Sequence, residues 1–280
     1  MTYKELYLFG RNKLEEAGIA EFEIDARLLL EFVCKTDRSF LYAHPDSEVT
    51  DIQEKDYVNH INTRMQRIPL QHITETQDFM GLEFYVNQDV LIPRQDTEIL
   101  VEEVMQKLHD GMEILDVCTG SGCILLSLLH YSNDCKGVGV DLSDKALEVA
   151  RKNQEKLGGN ASFVESNLFE KVEGQFDILV SNPPYIRSDV IETLMPEVSC
   201  HEPRMALDGY EDGLYFYREI AKNASNFLRH FGYLFFEIGY DQGQDVKDIL
   251  EQNGFSDVKI IKDLAGLDRV VRGKLGGLKD

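Results

Sequence analysis

Basic residues are scarce in this chain of 280 residues. The 29 Lys and Arg stand against 50 Asp and Glu, a formal net charge of −21 and a pI near 4.7. Non-specific nucleic-acid affinity comes from neutralising phosphates with Lys and Arg, so direct nucleic-acid binding is not expected. An acidic surface suits a basic protein partner instead. The five cysteines are odd in number and form no CxxC pair, which excludes a disulfide framework or zinc site as the organising device. The seven histidines show no metal-ligand spacing. No stretch approaches the roughly 18 apolar residues of a membrane span, and Met1–Glu5 opens no signal-peptide core. Internal repeats and low-complexity tracts are also missing. With 43% hydrophobic residues, the expectation is a reduced, cytoplasmic, soluble protein with a sizeable core.

Three parts are expected along the chain. Residues 1–70 read as a helical domain: Leu6, Leu8, Phe9 and Leu14 share one side of a first helix, Asp25 starts a second, and a third runs from Asp51 to Met65. Residues 71–95 read as a β-hairpin linker built from Gln71–Thr74 and Leu82–Val86. Residues 96–280 alternate apolar strands with amphipathic helices, the pattern of a parallel, doubly wound α/β sheet. The final two strands, Asp257–Ile261 and Arg269–Arg272, have no helix between them, so an antiparallel strand is expected to close the sheet's edge.

Ile114–Val117 followed by Cys118-Thr119-Gly120-Ser121-Gly122-Cys123 reads as a strand, a glycine-rich turn and a helix start. Glycines let a ligand approach the backbone, and the helix start offers free N–H groups. A dinucleotide loop wants a third glycine where Leu125 stands. Asp116, just before the turn, would repel a pyrophosphate but pair with an ammonium, which favours S-adenosylmethionine over NAD. Asp141 ends the next strand about 20 residues beyond the glycines, where a carboxylate accepts from ribose hydroxyls; its alternative role is a helix N-cap, which Ser143 can fill instead. After the third strand, Asn167 is placed to bond the adenine, with Leu168 or Phe169 to pack on it; an ordinary loop with a core Phe is the alternative.

Asn182-Pro183-Pro184-Tyr185 follows the apolar run Phe176–Ser181. Two prolines fix two φ angles and remove two N–H donors while keeping their carbonyls. The loop therefore presents a side-chain carbonyl beside an unpaired backbone carbonyl, which suits a planar NH2 group; a plain turn is the alternative.

Together these segments resemble a class I S-adenosylmethionine-dependent methyltransferase acting on an amino or amide nitrogen, and within that group the HemK/PrmC family of protein-(glutamine-N5) methyltransferases. The resemblance covers nearly the whole chain. It is carried also by Arg67–Ile73, Phe79-Met80-Gly81, Leu91–Glu98, Glu202–Leu207 with Asp212-Gly213-Leu214, and Asp263–Gly266 with Asp268-Arg269. Cys118 departs from a commoner glycine, and Asn167 from a frequent acidic residue. The fold implied is a Rossmann-like sheet with a C-terminal antiparallel strand plus a small N-terminal helical domain. The implied reaction methylates the Gln of the Gly-Gly-Gln motif of class I release factors, leaving S-adenosylhomocysteine, with the helical domain helping to hold the factor and the enzyme expected to be a monomer. Asn182, Pro183 and Tyr185 are the expected catalytic residues. Cofactor contacts are expected from Asp116, Cys118, Thr119, Gly120, Ser121, Gly122, Asp141, Asn167, Leu168 and Asn182, and substrate contacts from Asn182 through Tyr185, Pro184 included. Arg94, Glu98, Glu202 and Arg204 are read as an ion-pair network organising the domain junction, with direct substrate contact as the alternative; Glu237, at the end of a central strand, is read either as facing the site or as a buried, paired carboxylate. An adenine-N6 nucleic-acid methyltransferase is the alternative, since adenine's NH2 has the same two-donor shape; such an enzyme must extrude its base and grip a phosphate backbone.

Overall fold

The computed structural model describes residues 1–276. The last four residues of the expected catalytic domain, 277–280, lie outside the described residues. The chain divides into two compact units: Met1–Thr76 with Met195–His201, and Gln77–Leu194 with Glu202 onward.

The first unit is helical: α1 (Tyr3–Glu16), α2 (Phe22–Cys34), α3 (Arg38–Ala43), α4 (Asp51–Met65) and α5 (Leu70–Thr74). Thr2 and Thr50 close capping boxes that start α1 and α4, each satisfying two otherwise unpaired donors. The buried stripe of α1 is Leu6, Gly10 and Leu14. Leu8 points outward, 38% exposed, and Ile52 on α4 is 73% exposed, so neither belongs to the core. Gly10 is required by packing: a Cβ there would lie 2.0 Å from the Tyr57 hydroxyl, which donates to the Ala26 carbonyl at 3.0 Å. The segment Met195–His201 joins this unit through Glu197, which accepts from Arg64 at 3.0 Å and Arg67 at 3.3 Å, while Arg64 Nε donates to the buried Asp25 at 2.7 Å.

Gln71–Thr74 is not a strand. Pro69 sets the entry with φ −53°, and its carbonyl accepts from the His72 and Ile73 amides, closing the turn of α5. The hairpin is formed one step later by β1 (Thr76–Phe79) and β2 (Leu82–Tyr85).

The second unit continues with α6 (Gln95–Met105), β3 (Glu113–Val117), α7 (Cys123–His130), β4 (Lys136–Asp141), α8 (Asp144–Leu157), β5 (Ala161–Glu165) and β6 (Phe176–Ser181). After the single-turn helix Ser188–Ile191, and the single-turn helix Pro196–Ser199 that belongs to the first unit, come α9 (Tyr215–Ala224), β7 (Leu228–Glu237), α10 (Gly243–Gln252), β8 (Phe255–Lys262) and β9 (Asp268–Leu275). The seven-stranded sheet runs β5-β4-β3-β6-β7-β9-β8, parallel from β5 through β7. Both faces are covered, which is why its strands read as continuous apolar runs. Ile114, Ile178, Val180 and Phe235 pack with α6 and α7 on one face; Leu115, Val117, Leu179 and Phe236 pack with α9 and α10 on the other.

The antiparallel strand is displaced from its expected place. β9 returns between β7 and β8, pairing antiparallel with each, so β8 forms the edge. Val270 and Val271 are fully buried, one in each face's core, whereas β8 alternates between covered and exposed positions. The strand whose centre is buried on both faces takes the inner position, although β8 carries more apolar residues.

Candidate active site

β3, β4, β5 and β6 deliver their carboxyl ends to one rim of the sheet, where β3 has β4 on one side and β6 on the other. Ligands of doubly wound sheets bind at such a switch point. A cavity of about 410 Å³ opens there.

The loop after β3 forms one wall, with Cys118, Thr119, Gly120 and Ser121 lining it. The turn needs three consecutive-but-one left-handed residues: Cys118 at φ 63°, Gly120 at 54° and Gly122 at 77°. Gly120 has no heavy atom within 4 Å of where a Cβ would sit, leaving its backbone open to a ligand. Gly122 serves packing instead, its virtual Cβ lying 3.2 Å from Ala150 Cβ, and it does not line the cavity. Buried Asn153 on α8 ties the loop down by donating to the Ser121 and Tyr85 carbonyls, both at 3.0 Å.

Asp116 lies beneath this loop, fully buried and outside the cavity wall. One oxygen accepts from the Thr119 hydroxyl at 2.6 Å, while Oδ1 has no hydrogen-bond partner among the described residues. Burial pushes its carboxyl up to about 7 against the help of Thr119. Asp141 does line the cavity, and it grips the loop: Gly120 N donates to Oδ2 and Ser143 N to Oδ1, both at 2.9 Å. It is not the cap of α8; Ser143 is, accepting from Ala146 N at 3.2 Å. Burial raises Asp141 above the usual carboxylate range despite those backbone donors. Burial likewise holds the Cys118 thiol well up, so it is neutral near pH 7.

From the loop after β5, Asn167 and Leu168 line the cavity, and Leu168 adopts φ 48°. Asn167 donates to Glu170 at 2.9 Å. Phe169 turns away into the core and stacks on Phe227 at 4.7 Å, so Leu168 is the residue of the pair left facing the cavity.

After β6, Asn182 and Pro184 line the cavity, and Pro183 between them is buried, its side chain not among the lining residues. Tyr185 also lies outside the wall: its ring packs with the α9–α10 core and its hydroxyl donates to Glu237 Oε1 at 3.3 Å. The loop is braced from behind. Gln242 Nε2 donates to the Tyr185 carbonyl at 3.1 Å, and a Cβ on Gly213, at φ 73°, would stand 2.4 Å from that same oxygen.

Among the second-tier residues, Arg94 lines the cavity and its Nη2 meets both oxygens of buried Glu202, at 2.7 and 2.6 Å. Arg204 lines it too, donating to Glu192 at 2.8 Å and Asp208 at 3.4 Å. Glu98 instead accepts from the Met80 amide at 2.7 Å, fixing the hairpin turn. Sequence reasoning missed Thr97, Tyr210 and Phe216 in the cavity wall. Thr97 stands inside the Leu91–Glu98 segment, which was the available signal; the two aromatics carry none.

A glycine loop, an acidic strand end and an Asn-Pro-Pro-Tyr loop on one rim of this sheet define the class: an S-adenosylmethionine-dependent methyltransferase of class I. Comparison with known proteins narrows it. The PrmC N-terminal domain family matches residues 5–74, and the methyltransferase small domain family matches residues 94–198. The release factor glutamine methyltransferase of Clostridium botulinum is 41% identical over 281 residues, spanning 98% of this chain and 99% of its own. That of Agrobacterium fabrum is 40% identical over 270 residues, spanning 94% and 93%. A methyltransferase crystal structure from Pyrococcus furiosus shares the fold with a TM-score of 0.56 at 19% identity, covering 77% of this chain and 100% of its own. The chain belongs to the release factor glutamine methyltransferase family.

Proposed function

We propose that this chain methylates the side-chain amide nitrogen (N5) of the Gln in the Gly-Gly-Gln motif of class I peptide chain release factors. The observation that carries the reading is Asn182 in the wall of the cavity that the glycine loop and Asp141 also line.

The residues present fit S-adenosylmethionine. Gly120 leaves open backbone, Asp141 supplies a carboxylate for ribose hydroxyls, and Leu168 an apolar surface for the base. Asp116, behind the wall with an unpartnered oxygen, favours a positive charge near the loop by its field rather than by contact. When bound, S-adenosylmethionine supplies an electrophilic methyl on a sulfonium and leaves as S-adenosylhomocysteine.

An amide nitrogen is a poor nucleophile because its lone pair is delocalised into the carbonyl. Asn182 Oδ1 and the Pro183 carbonyl each accept one N–H of the substrate amide, aiming the nitrogen and favouring a more pyramidal, electron-rich geometry. Tyr185 anchors the loop that carries them. The acceleration comes from positioning and electrostatics, and no strong base is required before transfer, since the proton leaves a nitrogen already made acidic by alkylation. The helical unit helps to hold the release factor, and the enzyme acts as a cytoplasmic monomer without binding nucleic acid. The net charge of −21 supports the last point, and no helix among the described residues is long and apolar enough to cross a membrane.

The test is methyl transfer from labelled S-adenosylmethionine to purified release factor, beside a Gln→Ala variant of its tip and a duplex DNA control. Label on the wild-type factor alone is expected, with the mass of one CH2 added at that Gln. Label on DNA and none on the factor would sink the reading.

A further inference from the structure

We infer that Tyr210 is a substrate-binding residue at the opening of the cavity, where its ring holds the Gly-Gly segment that leads to the target glutamine; the inference rests on the methyl transfer proposed above. Tyr210 lines the cavity together with Phe216 and is 53% exposed, so it stands at the opening and not on the floor. Three aromatic rings meet there. Tyr210 and Tyr215 pack edge to face at 4.6 Å, Tyr215 and Phe216 edge to face at 5.2 Å, and Tyr210 lies 5.8 Å from Phe216. Tyr210 adopts φ 69°, a conformation that a bulky residue resists. Its neighbours hold it there: its amide donates to Asp208 Oδ1 at 3.0 Å, and its carbonyl accepts from the Ser188 amide at 3.0 Å.

These bonds tie Tyr210 to the Asn-Pro-Pro-Tyr loop and not to the cofactor side. Ile186 N donates to the Leu207 carbonyl at 2.9 Å and Gly209 N to the Ile186 carbonyl at 2.8 Å, so residues 207–210 run beside the chain as it leaves Tyr185. A Cβ on Gly209 would lie 2.8 Å from Tyr185 Cα and 2.9 Å from the Pro184 carbonyl oxygen, and this close approach sets Tyr210 next to the loop that carries Asn182. Among the described residues, its hydrogen bonds and ring contacts reach Asp208, Ser188, Tyr215 and Phe216; none reaches the glycine loop, Asp141 or the loop after β5. The occupant follows from chemistry. A glutamine entering the cavity from a protein loop brings the chain before it across the opening. Two glycines have no side chains, so their peptide planes and Cα hydrogens can lie flat on a ring, whose face carries the negative part of the aromatic quadrupole. A strained, half-open aromatic beside the reacting loop is accounted for by such a contact. Strain alone does not carry the assignment: Phe231 has φ 70° and is 54% exposed, yet lies outside the cavity wall. That makes Phe231 the matched control.

The experiment compares Tyr210→Gly, Tyr210→Phe and Phe231→Gly for kcat and KM on release factor, for the Kd of S-adenosylmethionine, and for the Ki of a release factor whose tip carries Gln→Ala. That inhibitor keeps both glycines and lacks the glutamine. Glycine suits a left-handed backbone and keeps the backbone hydrogen bonds, so the fold tolerates both glycine variants. Tyr210→Gly is expected to raise KM about tenfold, the scale of one aromatic contact at an interface, and to raise the Ki by about the same factor. Its kcat should stay within about threefold and its cofactor Kd within about twofold of wild type. Tyr210→Phe keeps the ring, so it and Phe231→Gly should stay within about twofold of wild type in every constant. Tyr210→Asn is the second variant: asparagine tolerates the left-handed region, and it must show the same rise in KM. Unchanged KM in Tyr210→Gly and Tyr210→Asn, or an equal rise in Phe231→Gly, overturns the inference. A raised KM with unchanged Ki would give the ring to the glutamine side chain, and a matching rise in cofactor Kd would give it to the cofactor; either overturns the occupant named here. A wild type inactive on release factor would count against the methyl-transfer reading itself and bring this inference down with it; an active wild type with an indifferent Tyr210→Gly removes this inference alone.

Discussion

Two carboxylates behind the cavity, Asp116 and Glu237, are fully enclosed and pushed up to about 7 by burial. Such groups cost the fold stability in return for a local field, as functional sites commonly do. The sign is fixed by linkage. With a folded-state value near 7 against 3.8, Asp116 holds its proton more tightly in the folded protein than in the unfolded chain. Its ionisation therefore weakens the cofactor-free fold as pH rises from about 4 to 7, with no further loss above. Asp116→Asn should gain stability relative to wild type between about pH 5 and 7 and then hold a constant difference, read from urea midpoints at several pH values. A difference that does not change with pH would show that Asp116 is not the titrating group. Asn182 predicts a different kind of loss. Asn182→Ala should reduce kcat about a hundredfold, the scale seen when one aligned polar partner of a transition state is removed, while cofactor Kd moves little. Unchanged turnover would take Asn182 out of the chemistry.

At the scale of elements, the parallel core was legible because burial on both faces leaves little room for polar residues: Ile114-Leu115 and Ile178-Leu179-Val180 announce themselves as strands. The glycine loop was legible from its spacing, and Asn182–Tyr185 from the rarity of two prolines at a strand end. The position of β9 was not, since a hairpin's sequence does not state which of its strands meets β7. Nor was the role of α5, where a single proline carbonyl outweighs a short, β-branched composition. Tyr210 and Phe216 were hidden for a related reason: the type of an aromatic residue does not say which cavity it faces. The brace behind the Asn-Pro-Pro-Tyr loop shows how such nonlocal packing is tested. Gly213→Ala puts a Cβ against the Tyr185 carbonyl in a left-handed conformation that alanine resists. The loop must shift, and misplacement on the order of 1 Å costs up to about a hundredfold in rate. We expect kcat to fall at least about tenfold with cofactor Kd, measured by calorimetry, within about twofold. Equal losses in both would place the damage in the cofactor loop instead.

For the molecule as a whole, chain order and compactness diverge. Met195–His201 follows the catalytic loop in sequence yet belongs to the helical unit, more than a hundred residues from the rest of it. Its tie is ionic. Arg64 is nearly buried, with Asp25 on one side and Glu197 on the other, and Glu197 is itself only 12% exposed. Burial pushes the Glu197 carboxyl up, but its own backbone amide and the Arg64 and Arg67 donors prevail and hold it below the usual range. A depressed folded-state value means that Glu197 contributes stability above its unfolded pKa and loses it as pH falls through the folded one. Removing it leaves Arg64 with half of its charge compensation in a poorly solvated place. Glu197→Ala should destabilise the helical unit by about 2 kcal/mol, and the deficit should shrink on acidification below about pH 4. Glu192→Ala is the control: its pair with Arg204 has partners 74% and 58% exposed, and its loss should stay within about 0.5 kcal/mol. Equal effects from the two variants, followed in urea by helical signal, would mean that the Glu197 tie is no stronger than a solvated surface pair and that the distant segment is held by its apolar contacts alone.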